Sequence, residues 1–227
     1  MENSIYQTSN TGNGPKAFVI LSGLLLLSAG IYISFARAPM LFGAIQTDPS
    51  PLRSGLLVAS MIVVVLRILF TMTFLLKRGM NWDEAGGIPF AFFLYFVVYG
   101  ILARLTDSTP GWAVYLGVAL FIGGSSLNTG SELARHFWKK NPEHKGKLYT
   151  TGAFGLARHI NYTGDILWIA GMALITGNWF SCIVVVLMFC FFAFFNGPML
   201  DRYLASKYGS QYDEWAKSTR SLIPGIF

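Results

Sequence analysis

Residues 55–76 read GLLVASMIVVVLRILFTMTFLL, an apolar run broken only by Arg67 and closed by Lys77-Arg78. A helix rises 1.5 Å per residue, so a run of this length reaches about 33 Å and crosses the ~30 Å hydrocarbon core of a bilayer. Five more apolar runs flank it, at residues 17–36, 88–105, 111–128, 165–176 and 179–196. The composition points the same way. Of 227 residues, 53% are hydrophobic and 12% charged, and the mean hydropathy is +0.50. Soluble domains carry roughly 25% charge, and half that cannot cover a globular surface in water. The sequence therefore predicts an all-α polytopic membrane protein with about six transmembrane helices, and it excludes a disordered chain or a coiled coil.

The basic residues predict orientation. Six spans put residues 1–16, 77–87, 131–162 and 197–227 on one side, and these segments hold thirteen lysines and arginines. The other side holds Arg37, Arg53 and Arg104, while Arg67 lies within a span, where it suits an interior ion pair or a cofactor cavity. The positive-inside rule then assigns both termini and the 131–162 segment to the cytoplasm. The net charge of +6 is accounted for by topology, so no nucleic-acid partner is expected. Residues 1–16 read as a disordered cytoplasmic tail, residues 17–130 as N-terminal transmembrane helices, and residues 131–227 as a cofactor-site region with a helical hairpin and C-terminal interfacial helices. The first run is longer than the apolar core of a signal peptide and is read as a retained span. Cys182 and Cys190, eight apart on one helix, are about 12 Å apart along its axis, too far for a disulfide, and read as packing residues.

Local signals refine the elements. Gly177-Asn178 marks a turn between two arms of a hairpin, and Gly209 divides the amphipathic tail after Pro198 into two short helices. Asp83 and Glu84 in NWDEA, residues 81–85, suit the first turn of a helix. The helix of the fourth span is expected to continue past Glu132.

The chain lacks the glycine-rich nucleotide loops, the nucleophile elbow and the zinc-protease motif of soluble enzymes. His136, His144 and His159, spaced 8 and 15 apart in one loop, do not form a zinc-ligand pattern, so no metal is expected. The richest stretch is residues 145–168, KGKLYTTGAFGLARHINYTGDILW. Its cations can clamp a phosphate or carboxylate, and the Asn161 amide and Tyr162 hydroxyl can fix a ligand head. Asn161, Asp165 and Trp168 fall on one helical face. A purely structural reading has Asn161 as a helix cap and Asp165 held by the helix dipole. Polar residues at the mouth of an apolar span favour a functional site.

The segment ARHINYTGDILW, residues 157–168, resembles the RHxNYxGD/E signature of a membrane superfamily. That superfamily comprises steroid 5-alpha-reductase C-terminal-like proteins, sterol double-bond reductases and isoprenylcysteine carboxyl methyltransferases. PEHKGKLYTTGAFG at 142–155, LRILFTMTFLLKRGMNWDEA at 66–85 and PMLDRYLASKYGSQYDEWAKSTRSLIPGIF at 198–227 resemble other segments of it. Two positions depart from the pattern. Ile160 stands where many relatives carry proline, and NGPMLDRYL, residues 196–204, keeps only Asp201 of the reductases' HRxxRDExxC.

The resemblance implies a cofactor bound from the cytoplasmic face and a lipophilic substrate entering from the bilayer. Carried over residue by residue, it implies NADPH-phosphate contacts at Arg135 and Lys139, with Arg158, His159, Asn161 and Asp201 also at the cofactor. Tyr208, or Tyr212, would sit on a lid near the ligand. Tyr162 is the expected proton donor, with Asp165 beside it. The first expectation is an NADPH-dependent reductase of a carbon–carbon double bond in a steroid- or terpenoid-like substrate, in the endoplasmic reticulum. An S-adenosylmethionine-dependent methyltransferase is the alternative, and a non-catalytic membrane scaffold the second alternative.

Overall fold

The computed structural model describes residues 13–35, 50–106 and 110–227. Residues 1–12 of the expected N-terminal tail, and Arg37 in the loop that follows the first span, lie outside them. The described residues are 80% helical, with no strands among them. Helix α1 is Gly14–Phe35. Helix α2, Pro51–Phe70, opens with proline at its first position, and Ser50 caps it by accepting from the Arg53 amide at 3.5 Å. Proline suits that position because its missing N–H would have no helical partner there. The helix continues as a π-turn through Leu75. Helices α3, Trp82–Phe92, and α4, Tyr99–Arg104, are joined by a π-turn at Phe93–Val98. Helix α5 is Trp112–Trp138, α6 is Ile160–Thr176 and α7 is Ser181–Cys190. A further π-turn, Phe191–Asn196, leads into α8, Gly197–Tyr208, and α9, Ser210–Ser218, follows.

Among the described residues, five helices are long and apolar enough to cross a membrane: Gly14–Phe35, Pro51–Leu75, Trp82–Arg104, Trp112–Trp138 and Ser181–Tyr208. The remaining predicted span, 165–176, lies within α6. At 17 residues α6 is about 26 Å long, a few ångströms short of the hydrocarbon core.

The chain divides into two compact units. One holds the described residues up to Phe121 together with Ile169–Val185. Here α1 packs on α2, α3 and α4, and small residues let the backbones approach. A Cβ at Gly30 would lie 3.1 Å from the Phe96 carbonyl oxygen, and one at Gly171 would lie 2.5 Å from that of Gly117. Arg53, expected outside the spans, lies instead in the first turn of α2, and Arg104, at the end of the third run, closes α4; both are buried, 2% and 5% exposed. Each sends a guanidinium nitrogen 3.3 Å to a carbonyl, Arg53 to Thr106 and Arg104 to Ile33. The NWDEA segment starts α3 as expected, and Glu84 accepts two hydrogen bonds from Arg78 at 2.8 and 2.7 Å. Gly177, with φ +68°, ends α6, and the Asn178 side chain accepts from the Phe180 amide at 3.1 Å to start the return arm.

The other unit holds Ile122–Trp168 and Val186–Phe227. Its part of α5 meets α6 at glycines. A Cβ on Gly124 would lie 2.6 Å from the Gly164 carbonyl oxygen, and one on Gly164 would lie 2.6 Å from the Asn128 amide. No side chain fits at either place. Gly209, with φ +53°, separates α8 from α9 as expected. Cys190, like Cys182 of the first unit, is a free thiol exposed on the surface rather than packed inside.

Candidate cofactor site

The unit built from Ile122–Trp168 and Val186–Phe227 contains every residue singled out above as a cofactor or catalytic candidate except Arg67, which belongs to the other unit. Helix α5 runs past Glu132 to Trp138, so Arg135 lies in its last turn and Lys139 follows directly. His136 therefore sits on a helix rather than in a loop. Helix α6 begins at Ile160, and the His159 carbonyl accepts from the amides of Tyr162 and Thr163 at 2.8 and 3.2 Å. Asn161 is thus inside the first turn and is not its cap. Its carbonyl accepts from Asn128 Nδ2 at 3.0 Å.

Arg135, Lys139, Arg158 and Asn161 line one pocket, with Tyr149 and Trp215 among their apolar neighbours. Four residues expected at the cofactor from the sequence are therefore brought together from α5, the following loop and α6. Arg135 donates to the Glu132 carboxylate one turn earlier, and its guanidinium lies 5.4 Å from the centre of the Phe154 ring. Lys139 Nζ donates to the Tyr208 hydroxyl at 2.9 Å, which brings Tyr208 to the edge of the site.

Arg158 is held differently. Its Nε and Nη2 donate to the two Asp201 carboxylate oxygens at 3.4 and 3.2 Å, and Nη1 donates to the carbonyls of Thr219 and, at 3.3 Å, Ala216. His159, only 1% exposed, places Nε2 3.0 Å from Asp201 Oδ1. Tyr212 hydrogen-bonds to the same carboxylate. Burial first, then that bond, pushes its phenol well above the ordinary range, so it remains a donor. Asp201 thus gathers a guanidinium, an imidazole and a phenol around one carboxylate. Main-chain bonds extend this clasp, from the Arg158 amide to the Arg220 carbonyl and from the His159 amide to the Ser221 carbonyl, both 2.8 Å. Thr163 Oγ1 donates to Leu222 and Trp215 Nε1 to Phe154, the latter at 3.1 Å.

The two expected catalytic residues stand apart from the pocket lining. The Tyr162 ring stacks on His159, with centroids 5.3 Å apart, and on Phe192, 4.7 Å apart. Phe192 belongs to the π-turn before α8, a distortion that is frequent at functional sites. Asp165 accepts from Trp168 Nε1 at 2.8 Å, joining two of the three residues expected on one face. Sequence reasoning missed Tyr149, Trp215 and Asn128. Tyr149 lies within the quoted KGKLYTTG run, but nothing in that run signals which way it points.

The donors suit an anionic cofactor. The pocket encloses about 30 Å³, room for about one water molecule, whereas ligand sites measure roughly 300–1,000 Å³. The residues thus fit such a group in chemistry, and the volume requires an element to move.

The helical membrane architecture and this polar site at helix ends define an integral-membrane protein with a candidate cofactor site. The chain belongs to the family described as "Protein of unknown function (DUF1295)", whose model matches residues 89–219. It is 38% identical over 93 residues to a probable O-methyltransferase of Ustilaginoidea virens, covering 40% of this chain and 32% of that protein. It is 30% identical over 121 residues to protein-S-isoprenylcysteine O-methyltransferase B of Arabidopsis thaliana, covering 51% and 61%. With the 7-dehydrocholesterol reductase of Danio rerio it shares 25% identity over 171 residues, covering 65% and 36%. The matched stretches thus span between 32% and 61% of these relatives' own lengths.

Proposed function

We propose that this protein is an integral-membrane enzyme that binds NADPH and reduces a carbon–carbon double bond in a lipophilic, steroid- or terpenoid-like substrate. The observation that carries this reading is the cation pair Arg135 and Lys139, one helical turn apart and lining the same pocket as Asn161. Lys139 is engaged by a tyrosine hydroxyl, and Arg135 by a partly exposed pair with Glu132, the arginine side chain being 39% exposed. Exposed pairs are worth little, about 0–1 kcal/mol, so both cations can turn to a phosphate at small cost. The similarity to 7-dehydrocholesterol reductase, over 65% of this chain, supports the same reading. Bound there, NADPH would supply the hydride. Tyr162 would donate the balancing proton from its phenol, its ring held by stacking, and Asp165 would fix Trp168 beside it. Arg158, His159 and Asp201 would hold the pocket wall, with Tyr208 at its edge. The substrate would enter from the bilayer, both termini would be cytoplasmic, and the endoplasmic reticulum is the proposed membrane.

A second reading, an S-adenosylmethionine-dependent methyltransferase, is favoured by charge. Glu132 and Asp201 offset Arg135 and Arg158, leaving Lys139 without an acidic partner among the contacts above. One net cation matches the single carboxylate of that cofactor better than the several negative charges of NADPH. The 38% identity to the Ustilaginoidea virens protein favours it too. Thermal unfolding and calorimetry of the detergent-purified protein with each cofactor separate the two. Stabilisation by NADPH that is lost in Lys139→Ala is expected, and stabilisation by S-adenosylmethionine alone overturns the first reading. Binding of neither favours a scaffold.

A further inference from the structure

The site as folded has room for about one water molecule, so a cofactor can enter only if part of its wall moves. Much of that wall is fixed. The segment carrying Arg158 and the chain after α9 are joined through the Asp201 clasp and by paired main-chain bonds. Trp215 is anchored through its ring nitrogen. Helix α8 is continuous with the π-turn and α7.

The stretch between Gly146 and Gly152 is held more lightly. It contributes Leu148 and Tyr149 to the pocket lining. Among the described residues, the amides of residues 148–151 make one hydrogen bond, from Leu148 to Gln211 Oε1 at 3.0 Å. Both bounding glycines are left-handed, with φ +78° at Gly146 and +61° at Gly152, conformations that side-chain-bearing residues rarely adopt. Nothing lies within 4 Å of a Cβ placed on Gly146, so packing does not hold that end. Lys145 and Lys147 beside it are exposed. Tyr149 is the inner weight of the stretch, packed on Trp138 and Phe154 with ring centroids 5.2 and 5.7 Å away. It lines the pocket with Arg135, Lys139 and Asn161, so its withdrawal would open space beside them.

We propose that residues 146–152 form a gate over the pocket, latched by Gln211 and turning on the two left-handed glycines, which swings out to admit a nucleotide-sized cofactor. Gln211 is then a positioning residue, acting through the Leu148 amide without touching the ligand. What the gate admits rests on the cofactor reading above, but the gate has its own test.

That test is native-state trypsin digestion of the full-length, detergent-purified protein, following cleavage after Lys147 and, as an internal control, after Lys217 by mass spectrometry. Loss of one neutral hydrogen bond should raise opening, and so cleavage after Lys147, about three- to tenfold in Gln211→Ala. Cleavage after Lys217 should stay within about twofold, and Gln211→Glu, which keeps the acceptor oxygen, should cleave like the unmodified protein. A Lys147 rate that does not rise in Gln211→Ala, or a parallel rise at Lys217, overturns the gate. A saturating cofactor should slow cleavage after Lys147. If NADPH or S-adenosylmethionine stabilises the protein but leaves that rate unchanged, the gate is not the entrance and the proposal fails. If neither stabilises it while Gln211→Ala still accelerates cleavage, the cofactor reading fails and the gate stands.

Discussion

The two units give their arginines different partners. In the unit of the described residues up to Phe121 with Ile169–Val185, Arg53 and Arg104 end on main-chain carbonyls and serve the ends of apolar helices. In the other unit Arg158 grips a carboxylate with two nitrogens and two carbonyls with a third. For Arg158 the carboxylate both satisfies donors and compensates the charge. Asp201 also meets His159 and Tyr212, so removing its carboxylate would take a partner from three residues at once. The first arrangement ties helices together, and the second ties a loop to the C-terminal tail and so shapes a pocket.

Asp201→Ala should break this contrast most severely. Leaving the part-buried Arg158 without its partner costs about 1–3 kcal/mol, so thermal unfolding in detergent should shift down and cleavage after Lys217 should accelerate. Arg158→Ala should likewise cost stability more than it costs cofactor affinity. If it instead weakens binding while the melting temperature holds, Arg158 is a ligand contact and the clasp is secondary. Tyr162→Phe keeps both ring stacks and removes only the hydroxyl. It should spare binding and lower turnover on the order of 100-fold, as general-acid removal does, and unchanged turnover would remove Tyr162 from the chemistry. Gly164→Val puts a Cβ against the Asn128 amide and should cost about 1–3 kcal/mol by overpacking, read as a lower melting temperature at unchanged cofactor specificity. Lys139→Ala should weaken cofactor binding about tenfold at constant stability, as measured by calorimetry.

The smallest effect belongs to pH. The Tyr212 phenol titrates above its ordinary 10.0 in the folded protein, so the folded state keeps its proton longer than the unfolded chain does. Its contribution is whole below pH 10 and falls as the pH rises beyond that. Alkaline unfolding of Tyr212→Phe should lack this part of the decline.

Much of the architecture could be read from local pattern. The apolar runs became helices, Gly177-Asn178 and Gly209 became the breaks they signalled, and NWDEA became a helix start. The helix of the fourth run continued past Glu132 and delivered Arg135 and Lys139 to one pocket. The α6 boundary moved, because its first turn forms on the His159 carbonyl and draws Asn161 inside. Arg53 falls inside α2 rather than before it, because Pro51 and the Ser50 cap start the helix a turn earlier than the apolar run does.

The sequence by itself determined the membrane-helical class and the superfamily, because hydropathy, helical spacing and turn chemistry act between residues a few positions apart. Only the tertiary structure decided what each polar residue holds. Arg158 meets Asp201 43 positions away, and Leu148 meets Gln211 63 positions away. No periodicity encodes pairs at that separation. Whether a guanidinium faces a ligand or a neighbouring carboxylate follows from how α6, α8 and the tail pack, and that depends on glycines that let backbones approach and on which donors burial leaves in need of an acceptor.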